Sequence, residues 1–112
     1  MADRRAPYIA VLLFESTIAG VAEPPLYRED FLLVWAGSEE EARAVATRRG
    51  EQESGSAESE AGMVTLTLKH VVDVNRALDD DFAGATADLY SRHFRNYRAY
   101  QQFEPLLSGE QL

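Results

Sequence analysis

The sequence predicts an α+β fold: one domain with an antiparallel sheet of about four strands, one face covered by two helices, in the order β-β-α-β-(β)-α. Two observations carry this. Apolar or alternating runs of strand length recur at 8–16, 30–37 and 63–78, with one clear helix between them at 38–50. Strand and helix also alternate too seldom for a parallel sheet, which leaves an antiparallel sheet with helices laid on it.

Taken in order, "YIAVLLFES" at 8–16 is β-branched, aromatic and apolar with few polar interruptions, as in a buried central strand. "TIAGVAEPPLYRE" at 17–29 contains Gly20 and Pro24–Pro25, which predicts a long connecting loop. "DFLLVWAG" at 30–37 is a second strand. In "SEEEARAVATRRG" at 38–50, Ser38 caps the helix and Glu41 completes a capping box. Glu39–Glu41 complement the helix dipole, Ala42, Val45 and Ala46 form a thin buried face, and Gly50 supplies the stop. "EQESGSAESEAG" at 51–62 is polar and acidic and predicts a mobile loop. From 63 to 78 the chain alternates strictly, with Val64, Leu66 and Leu68 opposite Thr65, Thr67 and Lys69. The alternation then shifts to Val72 and Val74 opposite Val71 and Asp73, so either one strand bent near Lys69–His70 or two strands account for it. Residues 1–6 read as a flexible N-terminus and 104–112 as a C-terminal tail.

The net charge of −8 argues against nucleic acid or an anionic membrane as partner, because phosphate binding needs a dominant positive field. It suits a basic protein partner. Without cysteine there are no disulfides, iron–sulfur clusters or thiolate zinc sites. A signal peptide is the sharper reading of the basic start and the apolar run after it. That run ends at Glu15 with no cleavage site, so a strand and a cytoplasmic location are expected.

Four motifs in order, "LLFE" (Leu12–Glu15), "SEEEA" (Ser38–Ala42), "VVDV" (Val71–Val74) and "LYSRHF" (Leu89–Phe94), resemble a bacterial family catalogued as domain of unknown function 4288. The resemblance covers roughly 8–94. It implies a compact α+β domain, an extended segment at "DLYS", and no assigned activity. In that family the middle segment usually carries a Tyr/Asn-containing turn and a strand tryptophan, where this chain has "SGSAESEAGMVTLTL".

The stretch "LYSRHFRNYRAYQQF" concentrates cations and aromatics. On a helical wheel Ala87, Tyr90, Phe94 and Tyr97 share one arc, and Arg92, Arg95 and Arg98 lie opposite. Base stacking would need both on one face. An amphipathic helix burying its aromatic arc on the sheet is therefore expected, beside the alternative of an arginine face gripping an anion. Glu15, closing an apolar strand, needs a partner. It is either an acid–base group among His70, His93, Tyr90 and Arg92, or half of a structural ion pair with Arg92. Two histidines without HxH or HExxH spacing give no metal site, and no motif calls for a cofactor. Asp79–Asp81 reads as a turn.

These features lead to a small acidic binding protein acting through a protein partner, inhibitor or immunity-like. An enzymatic role stays open, with the reading inclined against it. Contact is expected through Tyr27, Arg28, Arg92, Arg95 and Arg98, with self-association by a free sheet edge or the aromatic helix as a further route. The alternative is a small-molecule-binding domain or minor enzyme, with Glu15, His70, Tyr90 and Arg92 lining a pocket between sheet and last helix.

Overall fold

The structure, a computed structural model, describes residues 4–104. β1 (Ala6–Ile18), β2 (Leu26–Ala36), β3 (Gly55–Ser59) and β4 (Gly62–Arg76) form one antiparallel sheet in the order β2-β1-β4-β3. α1 (Glu39–Glu53) follows β2, and α2 (Tyr97–Phe103) comes last. The element order is the expected one. Of the two helices, α1 supplies the cover, while α2 has no buried residue.

β1 is central because it is apolar on both faces. Its even positions Tyr8, Ala10, Leu12 and Phe14 pack with Ala42 and Ala46 of α1 and with Val34 and Val74. The small residues on α1 allow the close approach that the thin apolar face implied. Ser38 caps the helix, its Oγ accepting from Glu41 N–H at 3.1 Å. The Glu41 carboxylate returns to Gly37 N–H at 3.3 Å, one residue short of a reciprocal box.

Gly50 does not end the helix. It is buried at the start of the last turn, and a Cβ there would lie 2.7 Å from Leu68 Cδ2 and 3.1 Å from Leu12 Cδ2. Glycine here permits contact with the sheet, and the helix stops at the Ser54 cap. Gly50→Ala is therefore expected to lower stability by about 1 kcal/mol in urea unfolding. Overpacking of roughly 1–3 kcal/mol outweighs the helix-propensity gain of about 1 kcal/mol.

β4 resolves the broken alternation as one strand with two bulges. Its register against β1 slips between Leu13 and Phe14, leaving Lys69 as an extra residue, and again between Val11 and Leu12, leaving Val72 extra. The inward residues are thus Leu66, Leu68, Val71 and Val74, with Val72 exposed. The second bulge places Val71, not Val72, beside Val74 in the core. Side chains of α1 and its cap meet polar groups beside the bulges: Arg43 Nη1 donates to Val71 O at 3.3 Å, and Leu68 N–H donates to Ser54 Oγ at 3.0 Å. The bulges therefore also set the helix in register on the sheet.

Three expected loop assignments change. The loop within 17–29 shrinks to residues 19–25, since β1 runs to Ile18 and β2 begins at Leu26. An edge strand tolerates the polar Tyr27–Glu29 because one side of its ladder is open. The supposed mobile loop 51–62 is the end of α1 followed by β3, which hairpins onto β4. Its backbone ladder and the Ser56–Thr65 hydroxyl pair at 2.9 Å hold it without any hydrophobic pattern. Ala6 of the expected N-terminal flexible segment is already in β1. Residues 1–3 and 105–112 lie outside the described residues, and with them almost all of the expected tail.

Candidate functional site

The odd residues of β1 point away from α1, yet Ile9 is 3% and Val11 0% exposed. The chain after β4 folds back over this second face. Ala77 N–H donates to Pro7 O at 2.9 Å, and Asp79 N–H to Asp88 O at 2.9 Å. Phe82 meets Trp35 edge-on with ring centroids 6.0 Å apart. Asp81 Oδ1 accepts from Ala83 N–H, the turn expected at Asp79–Asp81.

Tyr90 anchors the returning segment. Asp73 lies opposite Val11 and so faces the same side; its Oδ2 accepts from the Tyr90 hydroxyl, and its Oδ1 from Val74 N–H at 3.0 Å. Asn75 Nδ2 donates to the Tyr90 oxygen at 3.3 Å. The Tyr90 hydrogen bond, ahead of smaller contributions that include the Arg92 charge, holds the Asp73 carboxyl below its usual value. Burial, then the Asp73 hydrogen bond and charge, push the Tyr90 phenol up. Both shifts lead away from neutrality, opposite to the tuning of a general acid or base. This cluster holds chain in place.

Among the described residues no hydrogen bond or ion pair joins any two of the four expected pocket residues. Glu15 Oε2 accepts from the Tyr27 hydroxyl at 2.8 Å, so it bonds to its cross-strand neighbour and not to the expected Arg92. That bond, ahead of burial and the Glu15 charge, raises the Tyr27 phenol. His70 is exposed opposite Leu13. Tyr90 and Arg92 belong to the Asp73 cluster.

Among the expected partner contacts, Arg28 is tied into the fold. It donates to both Asp30 oxygens at 2.8 and 2.9 Å and to Glu53 Oε2 at 3.2 Å, and its guanidinium lies 4.8 Å from the Phe14 ring centroid. Tyr27 is engaged by Glu15. Arg92, Arg95 and Arg98 are exposed on the segment that leads into and forms α2.

Residues 92–96 are not helical. Asn96 caps α2, its Oδ1 accepting from Ala99 N–H at 3.0 Å. The helix is therefore shorter than the wheel assumed, and its aromatic arc is not buried on the sheet. Phe94, Tyr97, Tyr100 and Phe103 are all exposed, with Phe94 stacked on Tyr100 at 4.9 Å and 7° between planes. A cleft of about 340 Å³ opens between Glu29 of β2 and this arm, lined also by Arg92, Phe94, Tyr100 and Phe103. Among the described residues no group of three or more His, Cys, Asp or Glu could hold a metal ion. None of their helices is long and apolar enough to cross a membrane.

Sequence reasoning passed over Asp73 as an anchor, though the signal was present. An acidic residue inside the apolar "VVDV" needs a partner, as Glu15 did.

No curated protein and no solved structure matches the chain. The family model for Domain of unknown function (DUF4288) matches residues 7–91, from the start of β1 to the residue after the Tyr90 anchor. The sheet, α1 and the returning segment thus coincide with that span, the arm from Arg92 follows it, and the chain belongs to this family.

Proposed function

We propose that the chain is a small, acidic, cytoplasmic binding protein without enzymatic activity. It acts through a protein partner in an inhibitor- or immunity-like manner, and residues 92–103 form its recognition arm. One observation carries this: the arm interleaves exposed Phe94, Tyr97, Tyr100 and Phe103 with Arg92, Arg95 and Arg98, and α2 has no buried residue. Aromatics and arginine supply most binding energy at protein interfaces, and a contiguous exposed apolar patch marks such a surface. The chain's charge of −8 steers it toward a partner with a basic surface, and the arm's arginines then meet local carboxylates.

The experiment is capture from the native host under mild salt with intact-complex mass. The wild type is expected to retain a stoichiometric protein that the Arg95→Glu/Tyr97→Ala variant loses. A second reading has its own support, the cleft of about 340 Å³ between Glu29 and the arm. That volume is at the lower end for small-molecule sites. A retained metabolite in place of a protein would favour it.

A further inference from the structure

The sheet has two edges, β2 and β3. β3 is five residues long, polar, and carries Glu58, the usual features of an edge protected from pairing. β2 is different. It has eleven residues and an unbroken register with β1, and its second half, "FLLVWA" at 31–36, contains no charge, proline or bulge. On the face over which the chain after β4 returns, Phe31, Leu33 and Trp35 remain 63%, 43% and 48% exposed, with Trp35 meeting Phe82 edge-on. On the opposite face a trough of about 330 Å³ separates β2 from α1, lined by Leu32, Val34 and Val45 and by the polar Arg48, Arg49 and Gln52. The outer edge of β2 thus keeps exposed apolar side chains on one face and a trough on the other.

We infer that β2 pairs antiparallel with β2 of a second copy about a dyad at Leu33, joining two sheets into one of eight strands. This register sets Leu33 against Leu33, Phe31 against Trp35 and Leu32 against Val34 of the second copy, apolar against apolar throughout. Leu32 and Val34 of the second copy then lie over the trough beside α1. Charges are kept apart: Asp30 falls opposite Ala36 and Glu29 opposite Gly37. Arg28 falls opposite Ser38, beside the acidic first turn Glu39–Glu41 of the second copy. A dyad at Phe31 would instead set Glu29 against Leu33 and Asp30 against Leu32, burying carboxylates on apolar side chains. The second copy is thus the occupant whose charge pattern fits the edge, despite the net charge of −8 on each chain.

The exposed parts of Phe31, Leu33 and Trp35 offer roughly 300 Å² per copy, taking an aromatic side chain as about 150–250 Å². A standard interface buries about 800 Å² per partner, so the ladder and the trough must supply the rest and the dimer is dissociable. This pairing is centred on residues 31–35 of β2, whereas the arm borders that strand at Glu29, beyond the centre. The Arg95→Glu/Tyr97→Ala variant is expected to leave it unchanged, so loss of capture with the dimer intact, or the reverse, tells the two readings apart.

The test is sedimentation or native mass of the full chain over a dilution series through the micromolar range. Wild type is expected at twice the chain mass, dissociating on dilution. Leu33→Lys sets like charges face to face at the dyad and is expected to weaken association at least roughly tenfold, with an unchanged far-ultraviolet spectrum. Phe31→Lys alone does the same, and Phe31→Lys/Trp35→Glu restores the dimer, because each lysine then faces a glutamate of the second copy. A wild type that is monomeric throughout, a dimer indifferent to Leu33→Lys, or a double variant that fails to recover overturns the inference.

Discussion

Phe14→Ala lowers the unfolding free energy by about 3–5 kcal/mol, the range for deleting a buried aromatic ring. Phe14 is 1% exposed near one end of the central strand and packs within the cluster shared by β1, β2, β4 and α1. No neighbour can close the gap cheaply, since β1 is held by ladders on both sides. The ring also carries the Arg28 guanidinium at 4.8 Å, a cation–π contact of about 0.5–2 kcal/mol that is lost with it. Arg28 keeps Asp30 and Glu53, so the edge strand stays attached. Since domains are stable by about 5–15 kcal/mol, the variant stands close to unfolding. Urea denaturation followed by circular dichroism measures this, with Phe14→Leu losing less than half as much. A loss below about 1 kcal/mol for alanine would place Phe14 outside the core.

Tyr90→Phe is the second large effect, about 1–2 kcal/mol near neutrality. A hydrogen bond to a charged group contributes about 1.5–3 kcal/mol, reduced here because the pair is only partly buried. Its signature is in the pH dependence. Asp73 is shifted below its usual 3.8, so its contribution is complete above that value and is lost as pH falls through the lower folded pKa. Tyr90 is shifted above its usual 10.0, so its contribution is complete below 10.0 and is lost as pH rises through the higher folded pKa. Between those limits the difference between wild type and Tyr90→Phe is flat. It narrows at the acid end as Asp73 protonates, and again at the alkaline end as Tyr90 ionises. Urea midpoints at acid, neutral and alkaline pH measure it; a constant difference would mean that Tyr90 does not face an ionised Asp73.

What the sequence revealed depended on how local each signal was. Ser38 and Glu41 announced the start of α1 because capping is settled within four residues. The break near Lys69–His70 was legible as a bend or a strand boundary, but the second slip at Val72 depends on pairing with β1 and left no separate mark. Gly50 looked like a helix stop because stop and close-approach glycines are identical in one dimension; only Leu68 and Leu12 across the interface tell them apart. β3 left no hydrophobic pattern because it lies exposed at an edge and pairs through its backbone. The need of Glu15 for a partner was legible, but its identity was not, since strand register brought Tyr27 to it. The aromatic–basic stretch was read as one helix because composition does not show where the chain leaves the sheet. Tyr90 binds Asp73, Asn96 starts a new short helix, and the residues between follow neither pattern.

The fold closes at the Tyr90 anchor, and residues 92–103 project from it as an arm. Amide hydrogen exchange on the isolated full chain, resolved to peptides, tests this most directly. Strong protection is expected across β1 and β4, with 92–96 exchanging freely and 97–103 showing only the marginal protection of a short exposed helix, at any protein concentration. Protection of 92–103 comparable to that of the sheet would contradict it, and would make the aromatic segment part of the packed fold.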